Sequence, residues 1–74
     1  MLSPQQVLDT YFPEVRAKLI EIAAMMDRYE RAGGKSNAAD PRLRQFGESL
    51  AVLASLAGKA DRTERIQRIF SDPV

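Results

Sequence analysis

The sequence contains no cysteine and no histidine. Without cysteine no disulfide can close, and without either residue every zinc site built on thiolate or imidazole ligands is excluded. The same two absences rule out the Ser-His-Asp and Cys-His routes of nucleophilic catalysis. They also matter for stability. A chain of 74 residues is below the size at which one hydrophobic core comfortably outweighs chain entropy. With disulfides and zinc closed to it, the chain has two remedies left, close helix packing and association with further copies of itself.

An excess of charge of one sign is lacking too. The formal net charge is +1, from −1 over residues 3–32 and +2 over residues 33–74, which gives neither half a field that calls for a polyanion. No apolar run approaches the length of a membrane span, and Met1-Leu2-Ser3-Pro4 does not begin a basic region followed by an apolar one. The expectation is a soluble, cytoplasmic protein without membrane contact. An apolar share of 45% against 28% charged residues is that of an ordinary globular domain, so the chain should fold.

What the sequence does contain is a stripe. Leu8, Phe12, Val15, Leu19, Ile22, Met26 and Tyr29 follow at alternating steps of four and three, the a/d seam of a helix. Val7, Tyr11 and Met25 widen this stripe on one side and Ala23 on the other, beyond what a two-stranded coiled coil needs. Ser3 as cap, Pro4 at the first position and Gln6 three residues after the cap start the helix. Pro13 falls inside it, and because the seam keeps its phase from Phe12 to Val15 the expectation is a kinked but continuous helix. Gly33-Gly34 stops it. Glu14 with Lys18 and Asp27 with Arg31 stand at i, i+4 as exposed ion pairs.

Asp40-Pro41 restarts a helix, with Leu43, Phe46, Leu50, Leu53 and Ala57 along one stripe and Val52 and Leu56 on another. Gly58 ends it, and Asp61 with Glu64 begins a short third helix whose apolar side is Ile66, Ile69 and Phe70. The reading is an all-α, three-helix protein in one domain: helix 1 about 4–32, loop 33–40, helix 2 about 41–57, helix 3 about 62–70 and tail 71–74. Helix 1 is roughly 40 Å long, and helices 2 and 3 end to end reach about as far, so an antiparallel hairpin is the simplest arrangement. Its core would join the seam to Leu43, Phe46, Leu50, Leu53, Ile66 and Phe70. Left over as a second surface are Tyr11, Met25, Tyr29, Val52 and Leu56. Through them the chain is expected to form a homo-oligomer, a dimer pairing into a helical bundle, or to meet another protein.

Two other functions have some support in the residues. Helix 2, the turn Gly58-Lys59-Ala60-Asp61 and helix 3 have the outline of a helix-turn-helix, with Arg62, Arg65 and Arg68 offered to a nucleic acid. Asp61, Glu64 and the near-neutral charge oppose it. Glu14, Glu21 and Asp27 could begin a carboxylate metal site, but they point away from the seam, and the histidine of such bundles is missing. Gly33-Gly34-Lys35-Ser36 lacks the upstream strand and first glycine of a phosphate-binding loop. No catalytic constellation and no cofactor site is assembled, and the chain is expected not to be an enzyme. Residues Tyr11 to Ala24 resemble stretches of small bacterial helical proteins, a likeness that implies no activity. The expected role is a self-associating interaction or scaffolding module.

Overall fold

The computed structural model describes residues 1–55 and 60–71, and every regular element among them is helical. Three α-helices follow one another, α1 (Pro4–Arg31), α2 (Pro41–Ala54) and α3 (Arg62–Ser71), with a 3-10 turn at Gly34–Asn37 after the first. The chain divides into two compact units, Met1–Ser36 and Asn37–Val74.

The first unit is α1 and its stop. Ser3 Oγ accepts the Gln6 N–H at 3.1 Å while Gln6 Oε1 accepts the Ser3 N–H at 2.8 Å, so two of the N–H groups that a helix start leaves without partners are satisfied reciprocally. The helix runs unbroken through Pro13. Proline cannot donate to the Asp9 carbonyl, a local cost of about 3 kcal/mol in a helix interior, and its ring lies on the side of α1 away from the seam. Beside it Leu8, Asp9, Phe12 and Pro13 line a shallow open depression. Glu14 and Lys18 pair at 2.9 Å, which lowers the glutamate's pKa and raises the lysine's through their shared hydrogen bond.

At the other end, Arg28 and Arg31 stand in the last turn, where cations suit the carbonyl end of the dipole. The Ala32 N–H still reaches the Arg28 carbonyl at 3.0 Å, and Gly33 then takes φ 86°, the left-handed conformation that only glycine adopts without strain. Residues 33–40, expected as a plain loop, begin instead with the 3-10 turn. Its anchor is Tyr29, whose hydroxyl donates to the Gly34 carbonyl at 2.6 Å. Gly34 is buried under that ring, and a Cβ placed on it would come within 2.2 Å of Tyr29 Cε1. Any side chain there must push the ring aside.

In the second unit, Asp40 caps α2. Its Oδ1 accepts the Arg42 N–H at 2.9 Å, and both carboxylate oxygens hold the Arg42 guanidinium, at 3.0 and 2.7 Å. The helix ends at Ala54, three residues before the expected Ala57. Ser55 stops it: the N–H and the hydroxyl both turn back to the Val52 carbonyl, at 3.2 and 2.7 Å, and a serine satisfied in this way favours leaving the helix. The cap expected at Gly58 lies outside the described residues.

α2 packs on α3, and the contact corrects the expected stripe. Buried on α2 are Gln45, Ser49 and Val52, while Leu43, Phe46 and Leu50 are half-buried. Val52, expected on an outward second surface, is 8% exposed, and Leu53, expected in the core, is 48% exposed. One residue is 100° of helix, so this is a rotation of the buried face by about one position. Polar groups account for it. Gln45 Nε2 donates to the Ile69 carbonyl at 3.4 Å and Ser49 Oγ to the Gln45 carbonyl at 2.8 Å, so both can be buried satisfied where a hydrophobic pattern would not put them. On α3, Ile66 and Ile69 are half-buried, but Phe70, also expected in the core, is exposed. That helix runs one residue past Phe70, to Ser71, whose hydroxyl donates back to the Gln67 carbonyl at 2.9 Å.

Candidate functional site

α1 is 28 residues long and has no buried residue. Its a/d seam, expected to form the core, is instead open: Leu8, Phe12, Val15 and Leu19 are each about half exposed, Met26 somewhat less, and Ile22 is half-buried. Leu8, Val15 and Ile22 occupy d positions and Phe12, Leu19 and Met26 occupy a positions. Monomeric proteins seldom leave a contiguous apolar strip of this length uncovered, whereas scattered single apolar residues are ordinary. This strip is the most distinctive surface among the described residues.

The expected interface residues fare differently. Tyr11 and Met25 are exposed beside the seam, at the g positions that flank a two-helix contact. Tyr29 stands at the end of the seam, but its ring and hydroxyl are engaged by Gly34, so it closes the helix end. Val52 is taken up inside the second unit. Leu56 lies outside the described residues. Ile20 and Val7, each more than 40% exposed, extend the apolar surface at either side. Periodicity does not single out Ile20, because it lies about 120° from the middle of the seam and in sequence looks like a lone apolar residue on a polar face.

The three arginines offered to a nucleic acid are all held within the second unit. Arg62 is half-buried and donates through its guanidinium to the Ser55 carbonyl. Its Nε is buried without a hydrogen-bond partner. Arg65 approaches Asp61 at 4.0 Å, and Arg68 pairs with Glu64, the residue expected to complete a capping box. Glu14, Glu21 and Asp27 are all exposed, and among the described residues no three carboxylates gather as a metal ion would require. Nor is any helix there long and apolar enough to cross a membrane.

The strongest electrostatic feature is the α2 cap. The Arg42 side chain and backbone N–H hold the Asp40 carboxyl down to about 2. A depressed carboxylate contributes stability that is complete above its unfolded pKa of about 3.9 and is lost as the pH falls through the folded value. The melting temperature should therefore drop between about pH 4 and pH 2 by more in the natural chain than in Asp40→Asn, whose amide caps without titrating. Parallel melts followed by circular dichroism check this, and equal acid slopes would remove Asp40 as the titrating cap.

No family model, curated protein or solved structure matches the chain. Its function has to be argued from its own surfaces.

Proposed function

We propose that this protein is a self-associating helical interaction module whose working surface is the α1 seam, with no catalytic role. One observation carries the reading: a 28-residue helix with an apolar seam in a/d register contains no buried residue. The composition supports it, since a 74-residue chain without cysteine or histidine has no covalent or zinc staple and gains most from burying that strip against further copies. A dimer is the smallest assembly that covers the seam. The second unit supplies a folded appendage whose arginines are already paired, which fits a module working through contact better than a binder of polyanions.

Absolute mass by light scattering over a concentration series tests the proposal. The expected result is a mass above the 8.3 kDa of one chain, falling towards it on dilution. A helical spectrum together with the mass of a single chain at high micromolar concentration would overturn it, and would send the search to a different protein or to coverage of the seam within one chain.

A further inference from the structure

Resting on that reading, we infer that two copies pair their α1 helices antiparallel, so that the apolar flank of one seam meets the same flank of the other. The rows beside the seam carry the first argument. The g row holds Tyr11, Lys18 and Met25, and the e row holds Asp9, Arg16, Ala23 and Glu30. Tyr11 and Met25 are both about half exposed. Lys18, the one charge of its row, is held by Glu14 at 2.9 Å, one turn back and further from the seam. One flank is therefore largely apolar, and the other is largely charged.

Direction decides which rows meet. In a parallel pair the g row of each helix lies against the e row of its neighbour, which sets Tyr11 beside Arg16 and Met25 beside Glu30. An antiparallel pair is related by a two-fold axis across the helices, so that g meets g and e meets e. The two apolar flanks then cover one side of the contact together, and the charged rows, of mixed sign, share the wet side.

The seam itself gives the second argument. Parallel two-stranded seams favour β-branched residues at a and leucine at d. From Leu8 to Met26 no a position of α1 is β-branched, being Phe12, Leu19 and Met26, whereas Val15 and Ile22 stand at d. A parallel pair would also set each residue against its own copy, with a layer of two phenylalanines next to a layer of two valines. In an antiparallel pair a faces d. Leu8 then meets Met26 of the second copy, Phe12 meets Ile22, and Val15, the smallest, meets Leu19. These layers are of nearly even size, as close packing requires. The centre of this register falls at Ala17, the middle of Pro4–Arg31, so the helices overlap along their whole length.

The absence of cysteine makes the direction readable from single substitutions. Leu8→Cys and Met26→Cys are mixed in equal amounts in a glutathione redox buffer, and intact mass identifies each disulfide-linked product. The expected product joins one chain of each variant, because in an antiparallel pair like positions stand about 27 Å apart, beyond the reach of a disulfide. Phe12→Cys with Ile22→Cys repeats the test at a second layer, and light scattering establishes which variants keep the natural mass. Products that join two chains of the same variant overturn the inference and leave self-association standing. So does a two-chain mass without a cross-link at either layer. A single-chain mass for the natural protein overturns both.

Discussion

Val52→Asp is expected to unfold the second unit, while Leu53→Asp beside it is tolerated. Val52 is buried on α2, the helix that packs on α3, one turn beyond the buried Gln45 and Ser49. A carboxylate placed there has no positive partner arranged for it, and the effective penalty of burying an ion is several kcal/mol. A small domain has a total stability of only about 5–15 kcal/mol, and half of a 74-residue chain stands at the low end. Leu53, about half exposed, can turn a carboxylate into water. The measurement is helical ellipticity with limited proteolysis: Val52→Asp should lose the contribution of α2 and α3 and be cut between residues 41 and 71. Should Leu53→Asp be the one that unfolds, the buried face of α2 is the apolar stripe of the sequence and not the one described above.

Leu19→Ala is expected to break the assembly without melting α1. In a single chain Leu19 is 55% exposed, and alanine is the better helix former, so the isolated helix loses nothing. In the assembly it is a central a position, and truncating a buried leucine costs about 2–5 kcal/mol. At about 1.4 kcal/mol per factor of ten, the concentration at half-dissociation should therefore rise at least about 30-fold. Sedimentation or light scattering on dilution reads this directly, with Ala24→Ser, on the opposite side of the helix, as the unchanged control. An unaltered midpoint for Leu19→Ala would show that the seam is not what the copies share.

The helix starts were legible in the sequence because they are decided locally. Ser3, Pro4 and Gln6 act within four residues, Asp40-Pro41 within two, and each closed as the pattern indicated. The end of α1 was legible too, since Gly33 needs only its own φ. The phase of α2 was not. The buried side of that helix carries Gln45, whose amide reaches the Ile69 carbonyl 24 residues away, an interaction with no trace in hydrophobic periodicity. Likewise the stop at Ser55 depends on a hydroxyl turning back on its own helix, and the 3-10 turn at Gly34 on a tyrosine reaching five residues on. As for the candidate surface, the a/d spacing located the seam but placed it in the core, whereas α1 contains no buried residue. Burial then separated Tyr11 and Met25, which stay open, from Val52, which does not.

The polar centre of the second unit also sets how its stability responds to temperature. Two of the three buried residues of α2 are Gln45 and Ser49, and the isoleucines of α3 are only half covered. Among the described residues, unfolding this unit wets less hydrocarbon than an all-apolar contact would, and amide and hydroxyl hydration subtracts from the heat capacity that hydrocarbon adds. The enthalpy of unfolding then varies less with temperature, and the free-energy curve is flatter and broader. Such a unit loosens gradually on warming and has little tendency to denature in the cold.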